Sequence, residues 1–331
     1  MVEPILKVEG LKTHFKLREG MLKAVDGISF SLAPDEVLCI VGESGSGKSV
    51  TALSILRLID PPGHIVEGRI RYRDKDLLDL SEREMEKIRG DRIGMIFQDP
   101  MTSLNPVFTI GEQIAEGLRE HLDLDKTDAQ GRAVELLRSV GIPNPEERYQ
   151  DYPHHFSGGM RQRVLIAAAI ACEPDILIAD EPTTALDVTI QAQILKLLAE
   201  VQRRLNSALI LITHDLGVVA SMADRVLVMY AGEMVEYGDV KTIFEQPKHP
   251  YTIGLMNSVI RLDDQRDNEL RSIPGTPLVP INPPPGCSFR TRCNAAHAPC
   301  ETEKPQAISV AGGHLVSCHL MRSDGRQAGS S

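Results

Sequence analysis

The sequence predicts an α/β fold with a mostly parallel β-sheet, antiparallel strands at its edges, a helical insertion and a small cysteine-rich C-terminal extension. Short apolar, β-branched runs alternate with longer segments of helical period, which is typical of a parallel sheet flanked by helices. Between residues 105 and 152 the pattern is helical, which indicates an insertion into the sheet domain. After about residue 246 the composition shifts towards proline and cysteine, which indicates a separate extension.

The predicted strands are short and apolar, and the predicted helices end at polar turns or prolines. We expect parallel strands at residues 37–41, 93–97, 176–180, 209–213 and 225–229, and antiparallel edge strands at residues 25–32 and 234–237. We expect helices at residues 49–59, 110–122 and 128–140, the first of them stopped by Asp60, Pro61 and Pro62.

These elements divide the chain into three parts. Residues 1–260 are expected to form one α/β domain, with a helical subdomain inserted at about residues 100–165. Residues 261–322 comprise a proline-rich connector and a four-cysteine segment, in which the prolines exclude a helix from the connector. Residues 323–331 are polar and are expected to be disordered. The sequence has no internal repeat, so it carries one such domain.

The composition excludes some classes of function. The chain has 331 residues, of which 42% are hydrophobic and 25% charged, a balance that can bury a core. A net charge of −10 disfavours a role that depends on nucleic-acid phosphates. The longest apolar stretch, residues 164–172, is far shorter than the roughly 18–20 residues that cross a bilayer. Because residues 1–4 do not resemble a signal peptide, we expect a cytoplasmic protein that others would hold at a membrane.

A P-loop pattern, G-E-S-G-S-G-K-S, occupies residues 42–49 between a predicted strand and a predicted helix. Its glycines let the backbone wrap around phosphates with N–H groups pointing inward, and the helix adds the positive end of its dipole. We expect Lys48 to neutralise the β- and γ-phosphates of ATP and Ser49 to ligate Mg²⁺. The alternative, a glycine-rich turn that happens to contain Lys-Ser, is disfavoured by the flanking strand and helix. The residues expected at the nucleotide are Gly42, Ser44, Gly45, Ser46, Gly47, Lys48, Ser49 and Val50.

Polar side chains follow three of the predicted strands. Asp180 and Glu181 close one strand, and Gln98 and His214 follow two others. Residues at the carboxyl ends of parallel strands face the ligand crevice, so we expect these four near the phosphates. Asp180 would hold the Mg²⁺ shell, and Glu181 would polarise the attacking water as a general base. Taken alone, each of these patterns is weak, and Gln98 and His214 also fit solvated loop ends.

Residues 156–163, F-S-G-G-M-R-Q-R, resemble the signature motif of the ABC ATPases, which usually has Gln where Met160 stands. Ser157, Gly158 and Gly159 would begin a helix and offer a hydroxyl and N–H groups, a second anion site. The resemblance implies a head-to-tail dimer, in which this site of one subunit closes on the γ-phosphate held by the P-loop of the other. Because Met160 leaves the N–H donors in place, it does not argue against activity.

Other family motifs match in order over roughly residues 5 to 260, which implies a P-loop NTPase cassette of the ABC type. The resemblance implies that Phe15 stacks on adenine, although a core residue of an edge strand is the alternative. Val50 stands where many relatives have Thr, so any contact with the α-phosphate there would come from the backbone.

The same resemblance assigns roles to the polar residues. It implies that Gln98 senses Mg²⁺ and couples to membrane subunits, that Asp187 meets the partner across the dimer, and that His214 contacts the γ-phosphate. With Glu181 present, the site is expected to hydrolyse ATP.

Several segments resemble the ATPases of dipeptide and oligopeptide importers: residues 98–106, residues 249–252 and the tail that begins at residue 285. The resemblance implies an ATPase that powers peptide import from the cytoplasmic face of the cell membrane. It further implies two permease subunits, a solute-binding protein and a second ATPase, which is either a paralogue or another copy. Nickel, glutathione and some sugar importers share the subfamily, so the solute stays open.

Four of the six cysteines are spaced C-x5-C-x6-C-x17-C, which suits four thiolate ligands. The spacing contains neither a C-x2-C zinc pair nor the compact ferredoxin run, so a cluster, zinc and unliganded thiols are all open. Peptide-importer ATPases with such a tail resemble carriers of a [4Fe–4S] cluster, and we therefore predict one, with a structural role favoured over a redox role. Its ligands would be Cys287, Cys293, Cys300 and Cys318.

Three rival functions are weighed against transport. ABC ATPases that act on DNA or the ribosome typically carry two cassettes or a long coiled coil, which this chain lacks. A P-loop kinase would leave residues 157–159 without a purpose. A scaffold that binds ATP without hydrolysing it is disfavoured by Glu181 and His214.

Overall fold

The computed structural model describes residues 3–184, 186–258 and 273–321. The chain divides into two units. The first comprises the described residues of Met1–Ile5, Leu32–Val37 and Tyr72–Ile212, and the second those of Leu6–Ser31, Leu38–Arg71 and Thr213–Ser331. The domain boundary predicted at residue 260 and the tail predicted at residues 323–331 lie outside the described residues.

Strands and helices alternate along much of the chain, as the sequence predicts. The strands are β1 (Leu6–Leu17), β2 (Gly20–Leu32), β3 (Val37–Val41), β4 (Gly63–Tyr72), β5 (Lys75–Asp76), β6 (Ile93–Ile96), β7 (Ile176–Asp180), β8 (Ala208–Ile212), β9 (Arg225–Tyr230), β10 (Glu233–Asp239), β11 (Ile308–Ala311) and β12 (His314–Val316).

Among the described residues, none of the helices combines the length and apolar character needed to span a bilayer. The α-helices are α1 (Lys48–Ile55), α2 (Glu82–Glu86), α3 (Pro100–Ser103), α4 (Ile110–Leu122), α5 (Lys126–Ser139), α6 (Pro145–Arg148), α7 (Gly158–Ala169), α8 (Val188–Leu205), α9 (Leu216–Met222), α10 (Val240–Glu245), α11 (Pro250–Asn257) and α12 (Pro299–Thr302), with 3₁₀ turns at Pro153–His155 and Arg290–Arg292.

The first unit contains the parallel strands β8, β7 and β6, hydrogen-bonded in that order. Every residue of β7 and β8 is buried, which explains why β8 is a continuous apolar run and β7 is one up to its last residue, Asp180. Ile93 pairs with Ile176, so β6 and β7 end at the same edge of the sheet. The residues that follow these two strands therefore lie close together, as predicted.

Helices α4, α5 and α7 pack on one another in the first unit. Side chains cap both α4 and α5: the Thr109 hydroxyl accepts the Glu112 N–H at 3.3 Å, and the Asp125 carboxylate accepts the Asp128 N–H at 2.9 Å. Helix α4 has the predicted bounds, and α5 begins two residues before residue 128, the predicted start. The predicted helical insertion is thus present.

The second unit contains β11, β12, β10, β9 and β3, hydrogen-bonded in that order, and separately β2, β1 and β4. Strands β3 and β9 are parallel, whereas β10 is antiparallel to β9 and to β12. Strands β11 and β12 of the cysteine-rich extension are therefore added to the edge of this sheet. No local sequence pattern predicts these two strands.

The proline-rich connector runs along β2 in the second unit. Lys23 donates its N–H to the Pro280 carbonyl at 3.0 Å, and Asn282 donates its N–H to the Met21 carbonyl at 2.9 Å. Residues 273–285 contain no helix, as predicted.

The helix after the P-loop is shorter than predicted. We expected it to reach residue 59, but α1 ends at Ile55. Arg57 adopts a left-handed backbone with φ 54°, and the Leu58 N–H bonds the Leu53 carbonyl at 2.8 Å. This capping arrangement ends a helix without glycine or proline, so the sequence carries no signal for it.

Candidate nucleotide site

The P-loop joins β3 to α1 in the second unit. Two of its glycines, Gly42 and Gly47, lie where a side chain would collide with neighbouring backbone. Gly42, Gly45 and Gly47 have φ values of 156°, 77° and 99°. A Cβ added to Gly42 would lie 2.3 Å from the Met229 carbonyl oxygen, and one added to Gly47 would lie 2.1 Å from that of Ala24. The glycines thus allow a tight loop whose N–H groups can reach a ligand.

Lys48 lies within the loop, and only 5% of the residue is exposed. Its ammonium donates to the carbonyl oxygens of Gly42 at 2.8 Å and Glu43 at 3.1 Å. The Ser46 hydroxyl is buried and has no hydrogen-bond partner among the described residues. A buried cation and an unsatisfied hydroxyl in a glycine loop fit a polyphosphate ligand.

His214 lies beside the P-loop, and its contact with the γ-phosphate stays a prediction. Thr213 donates its N–H to the Ile40 carbonyl of β3 at 3.3 Å, which holds the neighbouring His214 near the end of that strand. A cavity of about 320 Å³ is lined by His214, Gly42 and Glu43, together with Val41, Leu216, Leu255, Ser258 and Ile273.

Phe15 is half-buried in β1, with its ring packed against Gly63. A Cβ added to Gly63 would lie 2.3 Å from Phe15 Cε1. The Phe15 ring thus packs against a glycine of the second unit. The stacking of Phe15 on adenine stays a prediction.

Asp180 and Glu181 emerge from the buried strand β7 of the first unit. Asp180 is only 4% exposed, and Glu181 has a left-handed backbone with φ 44°. The Glu181 Oε2 atom accepts hydrogen bonds from Gln98 Nε2 at 3.2 Å and from Thr184 Oγ1 at 3.0 Å. The structure therefore brings Gln98 and Glu181 together, as their positions after β6 and β7 predict.

Thr184 is a site residue that the sequence analysis missed. Its hydroxyl reaches back three residues to the Glu181 carboxylate. The sequence offers one signal for this contact, a threonine three residues after the predicted base. The signal is weak because threonines are common in such turns.

The signature residues begin α7 in the first unit. Ser157 is the N-cap, and its hydroxyl accepts the Met160 N–H at 3.4 Å. A Cβ on Gly159 would lie 2.6 Å from Ile190 Cγ2, whereas one on Gly158 would meet Leu186 at an ordinary 3.5 Å. A helix start with small residues is therefore present, as predicted.

Asp187 caps the next helix of the first unit. Its carboxylate accepts the Ile190 N–H at 3.0 Å, so it begins α8. The contact of Asp187 with a partner subunit stays a prediction, and Ala185, two residues before it, lies outside the described residues.

The four C-terminal cysteines are free thiols in the second unit. Cys300 and Cys318 are buried, and the Cys287 N–H donates to the Cys300 carbonyl at 2.8 Å. The pKa of the Cys287 thiol is raised to about 11, mainly by burial and also by the neighbouring Cys300 and Cys318, whereas a hydrogen bond with the Phe289 backbone lowers it. Within residues 3–184, 186–258 and 273–321, no group of three or more His, Cys, Asp or Glu side chains is placed to hold a metal ion. The thiol arrangement thus does not support the predicted [4Fe–4S] cluster or the zinc alternative.

Comparison with known proteins decides the family. Residues 25–184 match the family model described as "ABC transporter", and residues 235–300 match that described as "Oligopeptide/dipeptide transporter, C-terminal region". The dipeptide transport ATP-binding protein DppD of Bacillus subtilis is 53% identical over 320 residues, which cover 96% of this chain and 95% of that protein. The chain belongs to the ATP-binding subunits of ABC transporters, of the dipeptide and oligopeptide type. It is therefore an ATPase by family, with ATP and Mg²⁺ as its expected ligands.

Other relatives agree with this assignment. The oligopeptide transport ATP-binding protein OppD of Bacillus subtilis is 52% identical, covering 98% of this chain and 90% of that protein. DppD of Lactococcus lactis is also 52% identical, covering 96% of this chain and 91% of the relative.

Solved structures confirm the ABC cassette fold. The ATP-binding cassette MJ0796, solved as a dimer in a post-hydrolysis state with ADP and Pi, has a TM-score of 0.64 and 28% identity. The match covers 71% of this ATP-binding subunit and 98% of that chain. The protein cbiO1 of Clostridium perfringens gives a TM-score of 0.62 with 31% identity, over 74% of this chain and 92% of its own.

Proposed function

We propose that this protein hydrolyses ATP to power the import of dipeptides and oligopeptides through a membrane ABC transporter. The observation that carries the proposal is the Glu181 carboxylate, which follows a buried strand and is held by Gln98 and Thr184. The peptide specificity is supported by the names of the relatives, which describe dipeptide and oligopeptide transport.

The P-loop supplies the charge that ATP requires. The Lys48 ammonium neutralises the β- and γ-phosphates, and the N–H groups of the glycine-rich loop bind phosphate oxygens. Ser49, Asp180 and Gln98 would hold Mg²⁺, which would offset the charge that develops on the transferred phosphoryl group. Val50, Ser44 and Gly45 contribute through the loop backbone.

Glu181 acts as the general base on the attacking water. Two hydrogen bonds reach the same oxygen, Oε2, from Gln98 and Thr184, and they fix the orientation of the carboxylate. A base held in one orientation lowers the entropic cost of aligning the water with the γ-phosphate. His214 would contact the γ-phosphate.

The active form in this proposal is a head-to-tail dimer at the cytoplasmic face of the membrane. Residues 157–159 of one subunit close on the γ-phosphate bound to the P-loop of the other, and Asp187 contacts the partner. MJ0796, which shares the fold, is dimeric with ADP and Pi. Two permease subunits hold the ATPases at the membrane, a solute-binding protein delivers the peptide, and the second ATPase is a paralogue or another copy.

Substitution of Glu181 tests the hydrolysis proposal. Glu181→Gln should retain ATP binding, accumulate an ATP-bound dimer and lower kcat by at least about a hundredfold, because the base is lost. The measurements are phosphate release and size-exclusion chromatography with ATP. The exposed Glu200 of α8 offers the matched control, and Glu200→Gln should behave as the unmodified protein. Hydrolysis at the unmodified rate by Glu181→Gln would exclude Glu181 as the base.

Transport assays separate the proposed solute from the alternatives. The chain, assembled with its permeases in lipid vesicles, should support ATP-dependent uptake of a labelled di- or oligopeptide. Uptake of nickel or glutathione without uptake of peptide would assign the complex to another branch of the subfamily.

A [4Fe–4S] cluster on Cys287, Cys293, Cys300 and Cys318 remains a separate proposal. It is supported by the cysteine spacing and the resemblance to importer ATPases, whereas the described thiol arrangement does not fit it. Protein purified without oxygen should show visible absorbance and bound iron if the cluster exists. A colourless, iron-free protein would exclude it, and bound zinc would then favour the zinc alternative.

A further inference from the structure

Arg292, in the cysteine-rich extension, forms a bidentate ion pair with Glu43 of the P-loop. Arg292 Nη1 lies 2.6 Å from Glu43 Oε2, and Nη2 lies 3.1 Å from Oε1. Both residues belong to the second unit. No local sequence pattern predicts this contact, because 249 residues separate the partners.

The guanidinium group of Arg292 is fixed from several directions. Nε donates to the Pro274 carbonyl at 2.9 Å, and Nη2 also donates to the Ile273 carbonyl at 3.3 Å. The rings of Tyr230 and Phe289 lie 5.7 and 6.0 Å from the guanidinium carbon, and the side chain is only 3% exposed. The Glu43 side chain is 27% exposed, so the pair is partly shielded from water, and its electrostatic interaction is stronger than that of a fully exposed pair.

The backbone of Glu43 is held by Tyr251 of α11, which lies shortly before the extension in the chain. Its N–H donates to the Tyr251 hydroxyl at 2.9 Å, and the Tyr251 ring packs against Phe289 at 5.4 Å. The Glu43 carbonyl oxygen lies 3.1 Å from the Lys48 ammonium. Tyr251 therefore binds the backbone of Glu43, and Arg292 binds its side chain. Both follow the P-loop by more than 200 residues, and Glu43 itself contacts Lys48.

The charge of Glu43 is unexpected in a loop that binds a polyanion. A carboxylate beside the phosphates would repel ATP. The bidentate arginine neutralises this carboxylate and directs it towards the extension. Arg292 thus removes a charge conflict that the P-loop sequence itself creates.

We propose that the cysteine-rich extension tunes ATP affinity through Arg292, a positioning residue that neutralises and orients Glu43 of the P-loop. The inference rests on the proposed function, because it concerns how the same site binds ATP. It gives the extension a role in nucleotide binding that needs no metal.

The test uses an asymmetry that a merely structural contact would not produce. Arg292→Gln leaves the Glu43 carboxylate unneutralised, so the Kd for ATP should rise about tenfold, with a smaller rise for ADP, which carries less charge. Glu43→Gln removes the repelling carboxylate, so the Kd for ATP should stay within about threefold of the unmodified value or fall. The double variant Glu43→Gln/Arg292→Gln should recover the affinity lost in Arg292→Gln.

Equilibrium titration of the full chain with fluorescent ATP and ADP analogues at fixed ionic strength gives these values. Arg290→Gln is the matched control, because Arg290 lies in the same turn and donates to the Cys287 carbonyl rather than to Glu43. Its ATP affinity should equal that of the unmodified protein.

Three outcomes would overturn the inference: unchanged ATP affinity in Arg292→Gln, equal losses in Arg292→Gln and Glu43→Gln, or no recovery in the double variant. If Arg292→Gln does not fold, Glu43→Gln and the double variant, which both lack the carboxylate, provide the test. A tenfold loss of ATP affinity in either of them would overturn the inference. An unmodified chain that binds no ATP would overturn the proposed function and this inference with it. Normal binding by that chain with no effect of Arg292→Gln would overturn the inference alone.

Discussion

Glu181 shows at the scale of one residue how the site combines strain with positioning. Its left-handed backbone, at φ 44°, costs about 1 kcal/mol for a residue with a side chain. The conformation persists because its N–H donates to the Ile212 carbonyl at 3.0 Å while its carboxylate accepts from Gln98 and Thr184. These contacts aim the carboxylate, which is what a general base requires.

Thr184→Val should impair hydrolysis more than binding. The substitution removes one donor to Glu181 Oε2 while it preserves the shape of the side chain. We expect kcat to fall about fivefold, since one hydrogen bond is worth roughly 1 kcal/mol, and the Kd for ATP to change less than twofold. Steady-state phosphate release and ATP titration measure the two effects. Thr183→Val is the neighbouring control, and equal kcat values for the two variants would contradict a role for Thr184.

At the scale of elements, the sequence predicts those structures whose signals are local. Helix α4 has the predicted bounds because Thr109 caps its start and an apolar face runs along it. Strands β3 and β7 also have the predicted bounds, since both are fully buried and apolar, apart from Asp180 at the end of β7. Strands β11 and β12 are not predicted, because β12 pairs with the distant β10 and β11 pairs with β12, so their stability depends on non-local partners.

The start of α11 depends on a buried histidine. His249 is 1% exposed, and its Nδ1 atom accepts the Tyr251 N–H at 3.1 Å as the helix cap. The backbone N–H of His249 donates to a carboxylate oxygen of the buried Glu236 at 2.9 Å. Burial lowers the pKa of His249 to about 3, so the imidazole is neutral in the folded protein at neutral pH.

This lowered pKa predicts a loss of stability in acid. An unfolded chain binds a proton at His249 near pH 6.5, whereas the folded chain resists protonation down to about pH 3. The contribution of neutral His249 is therefore fully present above pH 6.5 and is lost as the pH falls towards 3, by about 1 kcal/mol for each pH unit.

His249→Asn should weaken this pH dependence. Asparagine can still cap α11 but does not titrate, so the free energy of unfolding should fall less steeply between pH 6.5 and 4.5. Urea unfolding at several pH values measures the slope, and His64→Asn, at an exposed position, is the control. Equal slopes for the His249 variant and the unmodified protein would contradict the prediction.

At the scale of the molecule, the motifs give most of the candidate site but not the contacts that support it. The P-loop, Asp180 and Glu181 follow from local sequence patterns, and the signature residues follow from the resemblance to the ABC ATPases. Thr184 and the pair of Arg292 with Glu43 do not follow, since they depend on side-chain directions or on segments far apart in the chain. The cluster prediction relied on spacing and resemblance, and the described thiol arrangement does not support it.

The proposed dimer assigns the P-loop and the signature of each ATP site to different subunits. A subunit with Lys48→Ala lacks a working P-loop, and one with Ser157→Arg lacks a working signature. A mixed dimer of the two would still contain one intact site, built from the P-loop of the second subunit and the signature of the first. A site contained within one chain would not be rescued in this way.

We therefore expect rescue on mixing, measured in chains that also carry Glu181→Gln so that ATP persists. Each single-lesion chain should remain monomeric with ATP in size-exclusion chromatography, and an equimolar mixture should form a dimer that holds one ATP. The control mixes Lys48→Ala chains with chains that carry both lesions, which leaves no intact P-loop in any dimer. If Glu181→Gln chains dimerise on their own while the single-lesion mixture stays monomeric, the P-loop and signature do not complete each other across the interface. Dimer formation in the control mixture would mean that association does not require an intact site, because no subunit there could hold the γ-phosphate.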